Sequence, residues 1–272
     1  MTPQERRELA RACAQAIDAK IPNDLKPQDR ALLGISIAGL VDGYMAMMLN
    51  PPTKRLSLPD VTLVAAADAQ TGLLMEAALR ECSRLVAFGN AIIMQIEVKS
   101  LADWSNAIWY EIPRALETSH MLVIQYDSWV VNAGAWRNDW LQYDYIGAPW
   151  YWHPEGSNVG NGGFSLRSKR LMNFLGVNRQ LMPCAEPEDD VLCRRYRQRL
   201  EAEGFRFAPT EVAAAFSFER SPPNGAFGFH GMYNWPHVLS DADIEARLSI
   251  APPYVLNSLH CAQMREVMEQ RR

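Results

Sequence analysis

The chain has 272 residues, 48% hydrophobic and 21% charged, enough to bury the core of one large domain or of one domain with an appendage. Its formal net charge of -4, without a cluster of Lys and Arg, excludes bulk electrostatic binding of nucleic acid. Five cysteines (Cys13, Cys82, Cys184, Cys193, Cys261) lack CxxC spacing, so neither a zinc site nor a disulfide framework is expected, and reduced thiols in a cytoplasm fit the count.

In chain order, residues 4–19 and 28–49 read as two helices separated by Ile21-Pro22-Asn23-Asp24, and Pro51 and Pro52 end the pair. Glu5, Arg6, Arg7 and Glu8 have no apolar stretch directly behind them and do not read as a secretory signal. Ala31 to Leu49 has the length of a membrane span. Asp42, Ser36 and the glycines Gly34, Gly39 and Gly43 instead favour a buried or interfacial helix. Residues 1–58 are therefore expected to be a helical extension whose apolar surface packs on the domain, on another copy of the chain, or peripherally against a membrane.

Val61 to Ala67 is an apolar run that predicts a strand, closed by Asp68 and followed by a helix over 71–81. Arg84 to Phe88 and Ala91 to Ile96 predict two short strands with Gly89 and Asn90 as the turn between them. This strand, helix, strand order opens a doubly wound nucleotide-binding half. Leu101 to Leu116 is amphipathic, with Pro113 set to kink or end it. The next strand, Met121-Leu122-Val123-Ile124, is apolar on both faces and stops at Gln125-Tyr126-Asp127. A carboxylate just past the carboxyl end of a buried strand stands where open α/β sheets place ligands, although a cap or turn former would look the same. Beyond Trp150, Gly160-Asn161-Gly162-Gly163 suits a backbone approached closely by a ligand. The many aromatic rings around it suit sugars or bases as well as ordinary packing.

Ser168 to Leu175 predicts a short helix stopped by Gly176. Glu186-Pro187-Glu188-Asp189-Asp190 then opens a helix to Ala202; acidic residues suit a helix N-terminus, yet four carboxylates in five positions exceed what capping needs. Phe205 to Thr210 and Ala213 to Phe218 predict closing strands, and Ala226-Phe227-Gly228-Phe229-His230-Gly231 places a single His among glycines and aromatics. The remainder reads as helices broken at Pro252 and Pro253. The expected domains are thus an extension at 1–58, an α/β domain at 59–240 and C-terminal helices at 241–272.

Three blocks, Gln125-Tyr126-Asp127-Ser128, Tyr143-Asp144-Tyr145-Ile146-Gly147-Ala148-Pro149-Trp150 and Val159-Gly160-Asn161-Gly162-Gly163-Phe164-Ser165-Leu166-Arg167, resemble a family of glycosyltransferase-like proteins known as a domain of unknown function. The likeness covers residues 59–235, and the blocks agree in order and spacing. It implies an α/β fold with a single Rossmann-like nucleotide-sugar transferase domain of the GT-A type. It also implies transfer of a sugar from a nucleoside diphosphate sugar to a glycan or other hydroxyl acceptor, while the thiols and the helical extension are what point to the cytoplasm or a membrane surface. Carried onto this sequence, it implies donor contacts from Asp68, Thr71, Gln125 and Asp127, and acceptor or sugar contacts from Trp150, Asn161, Gly162 and Gly163. Mn²⁺ or Mg²⁺ would be held by Asp127 and His230, with metal independence left open. Asp189 and Asp190 would face the acceptor, one as the general base of an inverting transfer, whereas a retaining transfer needs none there. Two competing readings stay open: a non-catalytic carbohydrate- or nucleotide-binding protein, and a nucleotidyltransferase, which lacks its expected Gly-rich basic first loop here.

Overall fold

The structure is a computed structural model that describes residues 55–96, 101–178 and 186–271. The two expected N-terminal helices, with the apolar run Ala31 to Leu49, lie outside the described residues. Among the described residues, no helix is long and apolar enough to cross a membrane. The three cysteines described, Cys82, Cys193 and Cys261, are free and buried.

The main body is mixed α/β, built on a central five-stranded sheet of order β2-β1-β3-β8-β5. Its strands are β1 (Leu56–Ala67), β2 (Val86–Gln95), β3 (His120–Ile124), β5 (Tyr145–Ile146) and β8 (Phe164–Ser168). β1 lies parallel to both β2 and β3, while β8 runs antiparallel between β3 and β5. The short β4 (Trp129–Val130), β9 (Ser217–Phe218) and β10 (Gly228–Phe229) form a three-stranded sheet, and β6 (Ala148–Pro149) pairs with β7 (Val159–Gly160).

Alternation along the strands sorts the side chains into two cores. Leu63, Ala65, Leu122, Ile124, Phe164 and Leu166 face the helix Gly72–Leu85 and the C-terminal helices, sharing one cluster with Leu74, Ala78, Ile244, Cys261 and Met264. Val64, Met121, Val123 and Tyr145 join Ile108, Leu171, Val191 and Leu200 on the other face. β3 is therefore buried on both faces, as its unbroken apolar run requires.

Five expectations differ from what forms. Phe205 to Thr210 is not a strand, since only Phe207 bridges, to Tyr145, and Thr210 already begins a helix. Gly89 and Asn90 are not a turn: β2 runs straight through them, and β1 bulges opposite, its register shifting between Leu58 and Thr62. A Cβ on Gly89 would lie 1.9 Å from the Pro59 carbonyl oxygen, so glycine serves the close approach of two strands. The amphipathic segment at 101–115 widens into a π-turn at Ala107–Glu111, directly before the proline that cannot donate to the carbonyl four residues back. Gly176 lies inside the helix Lys169–Val177, which ends at Asn178 rather than being stopped by it. Finally, Thr210–Phe216 is a helix and only Ser217–Phe218 is strand, because Pro209 sets a helix entry and Ala213, Ala214 and Ala215 favour continuation.

Candidate functional site

The three-stranded sheet assembles the polar cluster. β9 and β10 are parallel with Phe218 beside Phe229, so the residues that follow them, Glu219 and His230, emerge at the same edge. β4 runs antiparallel to β10 with Trp129 beside Phe229, which returns Asp127 to that edge from the end of β3. His230 Nδ1 lies 3.1 Å from Glu219 Oε1, and its Nε2 lies 3.1 Å from Gln125 Oε1 and 3.6 Å from Asp127 Oδ1. Gly231, at φ +95°, turns the chain so that its N–H donates to the Asp127 carbonyl at 3.1 Å, and the Met232 N–H donates to Asp127 Oδ2 at 3.2 Å. Asp127 Oδ1 is buried and accepts no hydrogen bond from the protein.

Burial opposes charge on His230, but the carboxylates of Asp127 and Glu219 outweigh it and push the imidazolium up to about 9. Burial would likewise raise Glu219, yet the hydrogen bond and charge of His230 hold its carboxyl below the ordinary range. Trp150 contributes to this, its indole N–H donating to Glu219 Oε2 at 3.0 Å.

The glycine block joins this cluster to the acidic run, and it does so through packing. A Cβ on Gly163 would come within 2.2 Å of His230 Nε2 and 2.7 Å of Gln125 Oε1; one on Gly162 would meet Glu188 Oε1 at 2.2 Å; one on Gly160 would enter the Trp150 ring. The faces of Gly162 and Gly163, expected to lie open to a sugar, are therefore covered by the protein's own side chains. Trp150 is likewise a buried ring and not an exposed stacking surface; its neighbours Tyr151 and Trp152 are 58% and 53% exposed. Asn161 takes φ 76°, and its Oδ1 accepts from the N–H groups of Gly163 (2.7 Å) and Phe164 (3.0 Å), a turn-forming role. Its side chain also helps hold the Glu219 carboxyl below the ordinary range.

The acidic run divides its labour. Glu188 is buried and holds the fully buried Arg167 in a two-pronged ion pair at 2.8 and 2.6 Å. Asp189 Oδ2 accepts the Gly162 N–H at 2.9 Å, while burial and then Glu188 push its carboxyl up to about 6. Asp190 points outward to pair with Arg194 at 2.6 Å. So Gln125, Asp127, His230, the glycine pair and Asp189 come together, and Asp190 stands apart. Asp68 lies past the end of β1, beside the end of β3, but its Oδ1 is occupied by the N–H groups of Gln70 and Thr71 and by the Thr71 hydroxyl at 2.6 Å. It closes a turn ahead of the helix Gly72–Leu85, whose N-cap position is Thr71, so its role here is that of a turn former.

Sequence reasoning missed Glu219, although a carboxylate following the apolar Phe216-Ser217-Phe218 carries the same end-of-strand signal as Asp127. A cavity of about 330 Å³ among the described residues, lined by Arg84, Trp129, Phe218, Pro223 and His237 among others, does not include these groups.

The sequence family described as a protein of unknown function, DUF5672, matches residues 86–230, more than half of the chain and a span that ends on His230. The chain belongs to this family. The family match holds Gln125, Asp127, the glycine block, the acidic run and Glu219, while Asp68, Thr71 and the C-terminal helices fall outside it. No curated protein matches the chain. Among solved structures, the chain is similar to the crystal structure of the apo-form glycosyltransferase GlyE of Streptococcus pneumoniae TIGR4, at 12% identity and a TM-score of 0.42. That likeness covers 80% of this chain and 64% of the other, so the chain spans less than two thirds of that protein.

Proposed function

We propose that the chain is a glycosyltransferase of the GT-A type that moves a sugar from a nucleoside diphosphate sugar to an acceptor hydroxyl. The observation that carries this reading is the convergence, at the carboxyl end of β3, of Asp127, Gln125 and His230 with Asp189 across the glycine pair. Such a transfer needs positive charge where the diphosphate leaves and a base where the acceptor hydroxyl loses its proton. His230 supplies a cation of its own. Asp189, raised toward neutrality and partly exposed, is suited to be the base of an inverting transfer.

Among the described residues, no group of three His, Cys, Asp or Glu side chains is arranged to hold a metal ion. The unpartnered Asp127 Oδ1, with the Gln125 amide oxygen and His230 Nε2 close by, nevertheless fits a weakly held Mn²⁺ or Mg²⁺ that keeps several waters. Bound there, the ion would add charge against the leaving diphosphate. His230 must give up its proton to serve as a ligand. Gln125 orients the imidazole, Gly163 admits it, and Glu219 fixes its far nitrogen.

The test is release of nucleoside diphosphate from a panel of nucleotide sugars, run with Mn²⁺ and with a chelator. Release by the wild-type protein and its loss in Asp127→Asn support the reading. Tight donor binding without turnover under any condition would assign the site to binding alone.

A further inference from the structure

Arg220 directly follows Glu219, yet it makes no ion pair among the described residues and is exposed. Its guanidinium is nonetheless held in place. It lies 4.3 Å from the centre of the Tyr233 ring, Nη1 donates to Gln263 Oε1 at 3.1 Å, and Nη2 meets His260 Nε2 at 3.4 Å. Because a guanidinium can only donate, His260 Nε2 must accept, and the proton of the neutral ring then sits on Nδ1. Burial keeps His260 below its ordinary value, and the charges acting on it are those of Asp127, His230, Arg220 and Glu219. The ring stands edge-on to Tyr233 at 5.1 Å, and Tyr233 in turn packs over Gly231, the residue that turns the chain beside Asp127. The Tyr233 hydroxyl is buried beside Glu219.

We infer that Arg220, oriented by His260 and Gln263, forms an anion subsite beside Asp127 and His230, and that it takes the diphosphate of the donor. The inference rests on the transferase reading for the identity of the anion. The charge balance of the region calls for it. Asp68, Asp127, Asp189 and Glu219 are carboxylates that repel a diphosphate, and His230 is already engaged by two of them. Arg220 adds a cation without a counter-ion among the described residues, with a planar fork whose geometry matches phosphate oxygens, and His260 Nε2 holds that fork in place. The same C-terminal segment brings Tyr254, whose hydroxyl reaches Asp68 Oδ2 at 3.4 Å, so residues 254–263 form one wall of the site although the family match ends before them.

Calorimetric titration of the full chain with inorganic pyrophosphate, in a chelator, tests the subsite. Arg220→Gln should weaken binding by about tenfold or more, the equivalent of one charge-assisted hydrogen bond, and Arg220→Lys should restore part of it. His260→Gln should weaken it by a smaller factor. Unchanged melting temperatures confirm that the substitutions leave the fold intact. Pyrophosphate binding that is absent from the wild type, or equal in wild type and Arg220→Gln, overturns the subsite. Nucleotide-sugar turnover is measured separately on the same proteins. Turnover with equal pyrophosphate binding removes the subsite and keeps the transferase, whereas Arg220-dependent pyrophosphate binding without turnover keeps the subsite and removes the transferase.

Discussion

Two polar clusters stand on either side of the glycine pair, and they treat their hydrogen-bonding capacity in opposite ways. Around Arg167, the guanidinium meets both oxygens of Glu188, the Ser165 hydroxyl and the Gly162 carbonyl, all within 3.3 Å and away from water. Around His230, the network stops short: Asp127 Oδ1 is buried and accepts no hydrogen bond, with His230 Nε2 3.6 Å away. The first cluster is complete and holds shape. The second leaves valences that a ligand can satisfy, which is where binding free energy is available.

The sharpest way to break this contrast is to unbalance the complete cluster. Glu188→Gln keeps the volume but leaves the Arg167 charge buried without its counter-ion, and should lower stability by about 3–5 kcal/mol. Urea unfolding checks it, and a loss under about 1 kcal/mol would show that water reaches Arg167.

The open cluster should respond in function instead. Asp127→Asn keeps the bond from the Met232 N–H and removes the charge facing His230, so the fold should hold while transfer falls by about a hundredfold or more. The imidazole titration, followed by NMR, should move down from about 9 because the first supporting charge is gone. A melting temperature that falls as far as in Glu188→Gln would erase the distinction between the clusters.

These roles differ in how far the sequence exposed them. The apolar run at 121–124, the motif blocks and the glycine-flanked His230 singled out Asp127, His230 and the glycine pair, because strand ends and dense glycines are local signals. The purpose of the glycines was not legible: whether a missing Cβ leaves room for a ligand or for a neighbouring side chain depends on what the fold brings there, here Glu188, His230 and Gln125. Trp150 illustrates the same limit, since an indole that looks like a stacking surface is spent on Glu219. Glu219 and Arg220 escaped although a strand ending at Phe218 was expected, because the pairing of Phe218 with Phe229 that sets Glu219 beside His230 is local to neither segment.

A pH profile sharpens the comparison at the seam between the clusters. Asp189 accepts from Gly162 on one side and feels Glu188 and Arg167 on the other. Its carboxyl stands near 6, above the unfolded value, so the protonated form favours folding below that value and the advantage is lost as pH rises through about 6. A base must be ionised, so turnover should rise with pH through about 6 and then level. Asp189→Asn should lose about 10²- to 10⁴-fold in rate with donor affinity kept. A wild-type rate in that variant moves the base elsewhere or favours a retaining transfer.

The smallest effect is expected one residue on. Asp190 was as strong a candidate for the base from sequence, since both aspartates precede Val191 and both suit the start of a helix. The fold separates them, because successive helical residues point about 100° apart. Asp189 faces the glycine pair, while Asp190 reaches Arg194 one turn later, with both side chains of that pair two-fifths exposed. An exposed i, i+4 pair contributes about 0.3–0.5 kcal/mol and is screened by salt. Asp190→Asn should therefore cost under about 1 kcal/mol in unfolding, shrink further in high salt, and leave turnover and its pH profile unchanged. Loss of turnover in Asp190→Asn, with Asp189→Asn active, would mean that the acidic run presents its other face to the acceptor and that the Gly162 contact is a cap.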